Sequence, residues 1–343
     1  MAFLKRVPSL FVPLLVIGGL VSYSAPRALA ATMWPPDLFV ELGGEFSGAR
    51  FHYTEQGVAP PGVASVVLIH GASGNLRDME LSLMESLSRH TRVIAIDRPG
   101  HGWSDRTSHP DISNPAVQAR AIREALARLG VERPVILGHS WGGAVAAAYA
   151  LDFPEDTAGI LPLSGALYPW PGGVAWYHSV VRTPAIGWLF MQVLVEPAGK
   201  LLVEEGVKSN FYPDTPPENY TSKTALPLLF RPHEFRANSE DTSNLKENLA
   251  RMSTRYESIS VPVIIVTGNA DHTVSPKLHS YAFHNAVEGS ELIKLKGTGH
   301  MPHYVRRDIV VDAVLRLARG ERVRAGMTTI HADGSVEEAL AAE

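Results

Sequence analysis

Residues 138–142, Gly-His-Ser-Trp-Gly, could carry nucleophilic chemistry. They follow a short apolar run at residues 135–137 and precede an alanine-rich stretch, which predicts a strand, a sharp turn and a helix. Such a turn lifts the side chain of its central residue above the sheet, and the flanking glycines leave room for it. The pattern therefore predicts Ser140 as a nucleophile. An ordinary glycine-rich turn is the alternative, and a phosphate-binding loop is disfavoured because no Gly-Lys-Ser/Thr ending follows.

Residues 70–74, His-Gly-Ala-Ser-Gly, follow a second apolar run. A loop of small residues beside the turn could direct a backbone N–H group at a developing oxyanion, with the N–H of Trp141 as its partner. His70 and Gly71 on this loop, together with His139 next to the serine, are predicted to line the substrate site. The two histidines are expected to shape it by packing and hydrogen bonding.

Two further residues could complete the catalytic group. Asp271 follows an apolar run at residues 261–267, and His300 follows another at residues 291–295. Each alone could be a solvated loop residue. Both, however, are placed at the carboxyl edge of the predicted sheet, where Ser140 also lies and where ligands bind open α/β sheets. A serine needs a base within hydrogen-bond reach, and a carboxylate fixes the tautomer of that base. The chain order predicts a nucleophile–acid–base triad.

Strands and helices alternate along most of the chain, and this order predicts where Ser140, Asp271 and His300 lie relative to the sheet. Eight short runs predict strands: residues 39–42, 50–54, 66–69, 93–96, 135–137, 159–163, 261–267 and 291–295. The first two predict a hairpin. Helical patterns fall between later runs, and the helix expected at 114–129 has Asp111 or Ser113 as candidate N-caps. The alternation predicts an α/β fold with a mostly parallel, doubly wound, eight-stranded sheet.

The alternation stops at residues 167–258, which predicts an inserted, mainly helical subdomain between core segments 31–166 and 259–320. Its apolar side chains either roof a substrate pocket or form its own core. They are Trp170, Trp176, Trp188, Phe190, Met191, Leu201, Leu202, Phe211, Leu228, Leu229 and Phe230. Arg231, His233 and Arg236 add a small basic cluster. Residues 321–343 are polar and alanine-rich, which predicts a loosely held tail.

The first thirty residues form a separate segment. Lys5 and Arg6 precede an uncharged run at residues 7–26, and residues 28–30 read Ala-Leu-Ala. A positive start, an apolar middle and a small-x-small end predict a secretory signal peptide. The run is also near the length needed to cross a bilayer, so an uncleaved membrane anchor stays open. Both interpretations predict an exported protein, either periplasmic or secreted, or anchored with its catalytic domain outside the cytoplasm. A cytoplasmic protein is the least favoured interpretation.

Composition excludes several classes of function. The 343 residues include no cysteine, which removes disulfides, zinc–thiolate sites, iron–sulfur clusters and cysteine nucleophiles. The formal net charge is −4 and no basic block occurs, so a nucleic-acid partner is disfavoured. Fourteen histidines are present, but none pairs with another at helical spacing beside a suitable carboxylate. The sequence thus predicts no metal site and no organic cofactor.

These motifs together resemble the α/β-hydrolase fold superfamily over roughly residues 38–319. The matching elements are the loop at His70-Gly71, the loop at residues 97–104, the turn at residues 138–143, the Asp271 loop and Gly299-His300. The resemblance implies Ser140 as nucleophile, Asp271 as acid and His300 as general base. It also implies an oxyanion hole made by the backbone N–H groups of Ala72 and Trp141, and a helical cap at residues 167–258.

The expected function is a serine hydrolase that cleaves an ester-type or related carbonyl bond of a small, apolar substrate through an acyl-enzyme. A serine at the turn differs from the haloalkane dehalogenase and epoxide hydrolase branches, which place an aspartate there. A carbon–carbon bond hydrolase and a cofactor-free perhydrolase remain alternatives on the same triad. A non-catalytic ligand-binding protein of the same fold is a further one. The natural substrate and the oligomeric state stay open, and the N-terminal segment is the expected route to membrane association.

Overall fold

The structure, a computed structural model, describes residues 38–338. One mixed sheet of ten strands runs through it in the order β1-β2-β4-β3-β5-β6-β7-β8-β9-β10. The strands are β1 Phe39–Glu41, β2 Arg50–Gln56, β3 Val66–Ile69, β4 Val93–Ile96, β5 Val135–His139, β6 Gly159–Leu163, β7 Ile264–Gly268, β8 Glu291–Leu295, β9 Gly326–Ile330 and β10 Val336–Glu338. The predicted leader at residues 1–30 lies outside the described residues, so its cleavage, anchoring and export stay predictions.

The direction of the strands confirms the predicted fold class. β1 and β2 form the expected antiparallel hairpin, and β2 also runs antiparallel to β4. Every neighbouring pair from β4 through β9 is parallel, and β10 returns antiparallel to β9. Parallel neighbours need crossover connections, and the helices between the strands supply them.

The strand count was wrong: the sheet has ten strands, not eight, because β9 and β10 form within the stretch predicted as a loosely held tail at residues 321–343. β9 pairs in parallel with β8 in continuous register from Gly326 to Ile330. Its side chains are all half-buried. A strand that is not buried on both faces lacks the continuous apolar run that identified the others.

Helices cover both faces of the sheet. The core helices are Leu76–Met79, Glu80–Met84 and Glu85–Ser88 in succession, Pro115–Arg128, Trp141–Asp152, Lys277–Tyr281 with Ala282–Ala286, Pro302–Val305 and Arg307–Ala318. The N-cap of Pro115–Arg128 is Asn114, whose side chain accepts the N–H of Ala116, rather than Asp111 or Ser113. Proline at the first helical position moves the cap to the residue directly before it.

Strand β3 shows how the two faces are filled. Val67 and Ile69 belong to the core beneath helices Pro115–Arg128 and Trp141–Asp152, whereas Val66 and Leu68 belong to the core on the opposite face. All four side chains are fully buried. Successive side chains of a strand point to opposite faces, so an uninterrupted apolar run is what a doubly covered strand requires. This packing holds the carboxyl ends of β3, β5, β7 and β8 at one edge.

Residues 167–258, hereafter the insertion, connect β6 to β7 and are mainly helical. Their helices are Trp176–Arg182, Ile186–Phe211 in three segments, Tyr220–Lys223, Leu226–Phe230, Pro232–Met252 and Ser253–Ser258. Met191 belongs to a small apolar core within the insertion, and Phe211 belongs to one that the insertion shares with Met301 of the α/β core. Trp176, Trp188 and Leu201 are exposed. The apolar residues noted in the sequence therefore divide between internal packing and the outer surface.

Candidate active site

Ser140 occupies the sharp turn between β5 and the helix Trp141–Asp152. Its backbone has φ 53° and ψ −115°, a conformation that is costly for a residue with a side chain. The turn also needs glycine before and after it. A Cβ at Gly138 would lie 2.1 Å from the carbonyl oxygen of Gly142, and one at Gly142 would lie 2.5 Å from that of Ile69. The predicted strand–turn–helix context of the serine is confirmed.

Backbone hydrogen bonds hold this strained residue in place. The N–H of Ser140 donates to the carbonyl of Leu163 at the end of β6, at 3.0 Å. The carbonyl of Ser140 in turn accepts the N–H groups of Gly143 and Ala166, at 3.0 and 2.9 Å. Its side chain is partly exposed at the carboxyl edge of the sheet, where a substrate can reach it.

Asp271 and His300 meet although 29 positions separate them in the chain. The Nδ1 atom of His300 lies 2.7 Å from the Oδ2 atom of Asp271. The other carboxylate oxygen accepts the N–H groups of Thr273 and Val274, at 2.8 and 2.9 Å. A carboxylate at Nδ1 holds the proton of a neutral imidazole on that nitrogen and leaves Nε2 free to accept one. The pair has the arrangement that a general base and its orienting acid require.

His139 connects the turn to the histidine loop. Its Nε2 atom lies 3.0 Å from the carbonyl oxygen of His300, and the two rings are 4.8 Å apart. Because a carbonyl can only accept, the proton of His139 is on Nε2. Burial, together with the nearby His303 and His300, lowers the pKa of His139 well below its usual range, so the ring is neutral. His139, which directly precedes Ser140, therefore ties the turn to the backbone of His300.

The loop after β3 lies directly against the turn. A Cβ on Gly71 would lie 3.0 Å from the Cβ of Ser140, so a larger residue there would press on the turn. Ala72 is exposed next to it. Trp141 is the first residue of its helix, and the first N–H groups of a helix have no partner within it. Ala72 and Trp141, whose N–H groups are predicted to form an oxyanion hole, thus directly follow the two residues that approach each other, Gly71 and Ser140.

His70 supports this loop from behind. It is fully buried, its Nδ1 atom lies 2.8 Å from the carbonyl oxygen of Gly71, and its Nε2 atom accepts the N–H of Arg98 at 2.9 Å. Burial lowers the pKa of His70 to about 3, and the charge of Arg98 acts in the same direction. With both ring nitrogens engaged by backbone groups, its geometry is that of a positioning residue rather than of a side chain that contacts substrate.

Arg98 joins the loop after β3, the turn at Ser140 and the insertion. Its guanidinium is fully buried, donates to the carboxylate of Asp241 at 2.7 Å and to the carbonyl of Gly71 at 3.2 Å, and stacks 4.1 Å from the ring centroid of Trp141. Asp241 belongs to the helix Pro232–Met252 of the insertion. The motif at residues 97–102 contains Arg98, but its partner 143 positions away left no signal in the sequence.

A second buried group stands behind His139. Side-chain ligand atoms of Asp78, His139 and His303 all lie within 4.8 Å of one another, so these residues could hold a metal ion. The carboxylate of Asp78, however, accepts the hydroxyls of Tyr220 and Tyr304 at 2.7 and 3.1 Å and lies 3.3 Å from Nε2 of His303. Burial acts to raise the pKa of Asp78, but the hydrogen bond and charge of His303 lower it overall. The ring of His303 lies 4.5 Å from that of His139, so we interpret the cluster as a hydrogen-bonded group that packs against His139.

Comparison with known proteins identifies the family. The profile of the alpha/beta hydrolase family matches residues 66–313, which include the turn at Ser140, the loop after β3, Asp271 and His300. The chain belongs to the alpha/beta hydrolase family. The match spans both core segments and the insertion between them, and it agrees with the parallel sheet and the sharp turn at Ser140.

Several relatives of this alpha/beta hydrolase align with it. An uncharacterized protein of Mycobacterium tuberculosis is 28% identical over 264 residues, 74% of each chain. A 2-hydroxy-6-oxononadienedioate/2-hydroxy-6-oxononatrienedioate hydrolase of Pseudomonas putida is 27% identical over 66% of this chain and 76% of its own. A monoacylglycerol lipase of Xenopus laevis is 30% identical over 36% of this chain and 37% of its own.

The fold of this hydrolase also matches solved structures. A hydrolase from Pseudomonas aeruginosa superposes with a TM-score of 0.65 at 19% identity, over 81% of this chain and 97% of its own. At that identity the likeness establishes the fold, and the chemistry must be argued from the site.

One carboxyl group couples the insertion of this alpha/beta hydrolase to the loop after β4. Glu234 is almost fully buried and accepts the N–H of Gly102 at 3.0 Å and the guanidinium of Arg231 at 2.7 Å. Burial raises the pKa of Glu234 to about 7, although Arg231 and the Gly102 N–H act in the opposite direction. Between about pH 4.5 and pH 7, the carboxyl group of Glu234 therefore stays protonated in the native state but is ionised in the unfolded chain.

The stability of the protein is expected to depend on pH through Glu234. Because the pKa of Glu234 is raised in the native state, its contribution to the free energy of unfolding is complete below about pH 4 and is lost as the pH rises towards 7. In Glu234→Gln, the free energy of unfolding should fall less between pH 5 and pH 8 than in the native sequence, by on the order of 2 kcal/mol. Urea unfolding at both pH values measures this. Glu240→Gln, on the same helix but more exposed, is the control, and equal slopes in all three proteins would contradict the expectation.

Proposed function

We propose that this alpha/beta hydrolase is a serine hydrolase that cleaves an ester-type bond of a small, apolar substrate through an acyl-enzyme. The observation that carries the proposal is the juxtaposition at one sheet edge. Ser140 has φ 53° at the turn, and the 2.7 Å pair of His300 and Asp271 is tied to that turn through His139. A strained, partly exposed serine and an oriented imidazole at the same edge of the sheet are the groups that nucleophilic acyl transfer needs.

The mechanism assigns one role to each group. Nε2 of His300 takes the hydroxyl proton as the oxygen of Ser140 attacks the substrate carbonyl, and Asp271 stabilises the imidazolium that forms. The N–H groups of Ala72 and Trp141 hold the oxyanion of the tetrahedral intermediate. His300 then protonates the leaving alcohol, which breaks the ester bond. Water, deprotonated by His300, attacks the acyl-enzyme and releases the acid.

The proposal is tested by covalent labelling of the full chain with a fluorophosphonate, whose phosphorus is attacked by an activated serine. We expect one adduct, located on Ser140 by peptide mass spectrometry, and loss of turnover of p-nitrophenyl acetate in step with labelling. Protein unfolded in detergent before labelling is the control, because the triad exists only in the folded chain. Ester turnover without an adduct on Ser140, or the absence of both, would remove the proposal.

A carbon–carbon bond hydrolase is the second candidate, because the relative from Pseudomonas putida that spans two thirds of the chain is named for that reaction. Labelling of Ser140 does not separate the two, since both use the same residues. Turnover of a 2-hydroxy-6-oxo-dienoate at a kcat/KM far above that for p-nitrophenyl esters would favour this candidate. A steady rise of kcat/KM with acyl-chain length would favour ester cleavage.

A further inference from the structure

The longest apolar helix of the insertion lies on the surface of the molecule. Ile186–Phe211 has 26 residues, and its most apolar part has a mean hydropathy of 1.4 with 17% of its residues buried. Within residues 38–338 it is the one helix long and apolar enough to cross a membrane, by length and composition. A helix of a soluble core with this composition would be mostly buried.

Apolar side chains occupy two sides of this helix. Gly187, Met191 and Val195 are buried at intervals of four and form a stripe that packs within the insertion. Near the other end of the helix, Val207 and Phe211 are buried against Tyr220 of the insertion and Met301 of the α/β core. The outer face consists of Ile186, Trp188, Leu189, Val193, Leu194 and Leu201, all exposed. Exposed apolar groups gathered on one face mark an interaction surface rather than the single exposed residues of an ordinary protein surface.

Charged side chains are absent from the first, apolar half of the helix, and four of the five in the second half form ion pairs within the helix, with Glu204 as the fifth. Residues 186–195 include no charged side chain. Further along, Lys200 pairs with Glu196 and Lys208 pairs with Glu205, each at 2.7 Å. A face with little net charge has little attraction for a charged protein or nucleic acid, whereas it can enter the interface of a neutral lipid layer at small electrostatic cost. Trp188 and the nearby exposed Trp176 are of the type enriched at such interfaces.

The chain before the described residues also points to a membrane. The apolar run ends at Pro26, and eleven residues, 27–37, separate it from Leu38. Fully extended, eleven residues reach about 40 Å, which is about the length of a 26-residue helix. If the run stays in the bilayer, the folded domain cannot lie further than this from the lipid surface.

We propose that the outer face of Ile186–Phe211, with Trp176 beside it, docks on the surface of a lipid bilayer. The helix lies in the interface and does not span it, because its other stripe stays packed on the protein. The C-terminal end of the helix adjoins the catalytic loops: Asn210 bonds to the hydroxyl of Thr273 at 3.0 Å, and Asp214 accepts the N–H of Gly299 at 2.8 Å. Docking does not require the nucleophile, so the docking proposal can be tested independently of the proposed chemistry.

The absence of cysteine allows a position-specific test. In the full chain, Leu201→Cys and Val58→Cys are each labelled with the polarity-sensitive fluorophore NBD. The two positions are matched, since Leu201 is 81% exposed and Val58, which is not on the outer face, is 82% exposed. On addition of phosphatidylcholine vesicles we expect a rise of about threefold or more in emission, with a blue shift, at position 201 and no change at position 58. Both proteins carry the same N-terminal segment, so anchoring through it affects both equally.

Each other outcome overturns the proposal. No change at position 201, or equal changes at both positions, shows that the outer face does not contact lipid. A signal at position 201 that rises with protein concentration without vesicles identifies a second copy of the chain as the occupant. A high signal before vesicles are added, independent of protein concentration, identifies the apolar run at residues 7–26. The expected change should persist in 0.5 M NaCl, since the docking is apolar.

Discussion

Replacing Ser140 with alanine is expected to lower kcat/KM for p-nitrophenyl acetate by about 10⁴-fold or more, because the acyl-enzyme can no longer form. Alanine keeps the Cβ of serine, so the change adds no new clash at the turn. The hydrogen bonds that hold the residue come from its backbone N–H and carbonyl groups, which are retained. The free energy of unfolding should therefore stay within about 0.5 kcal/mol of the native value. Steady-state kinetics and urea unfolding measure the two quantities.

Ser164 provides a matched control for this change. It follows β6, the strand next to β5, has φ 45°, and its buried hydroxyl has no hydrogen-bond partner among the described residues. Ser164→Ala thus removes a hydroxyl from a similarly strained backbone one strand away, and kcat/KM should change by less than about threefold. Ester turnover in Ser140→Ala above a few per cent of the native rate would show that the nucleophile lies elsewhere.

The amino-acid sequence predicted those strands and site residues whose positions are determined by short stretches of sequence. All eight expected strands are present, because strands buried on both faces require uninterrupted apolar runs such as residues 66–69. The turn at Ser140 was visible for a similar reason, since a strained strand-to-helix turn needs glycine at fixed positions. Asp271 and His300 could be placed at the same edge because parallel strands end together.

What the pattern missed depends on contacts between distant residues or on partial exposure. β9 is half-buried and has no apolar run to identify it. Asp78 and His303 meet across 225 positions, and Arg98 meets Asp241 across 143. A buried charge is not distinguishable from a solvated one by residue type, since only the partner that compensates it makes burial tolerable. The residues that support the site therefore could not be predicted from the sequence, because their partners are brought together only by the fold.

Arg98→Met is expected to lower the free energy of unfolding by about 3 kcal/mol. The substitution keeps much of the side-chain volume but removes the 2.7 Å partner of the fully buried carboxylate of Asp241, which then keeps only Arg106 and Gln118, each at 2.9 Å. It also removes a donor from the carbonyl of Gly71 and the cation stacked on Trp141, so both predicted oxyanion donors lose support. We expect kcat to fall by about 10- to 100-fold with a smaller change in KM, because an oxyanion donor acts mainly in the transition state.

A double substitution separates support of the fold from support of the site. In Arg98→Met/Asp241→Leu both fully buried charges are absent, and replacing a buried ion pair by apolar side chains is often neutral or stabilising. Arg106, which loses Asp241, is partly exposed and keeps Glu240 at 3.3 Å. The free energy of unfolding should therefore recover by about 2 kcal/mol or more relative to Arg98→Met. The kcat value should stay low, because neither the bond to Gly71 nor the stacking on Trp141 returns. Recovery of kcat together with stability would show that Arg98 only holds the insertion on the core. A kcat that stays as low as in Arg98→Met while stability recovers shows instead that Arg98 positions the loop after β3.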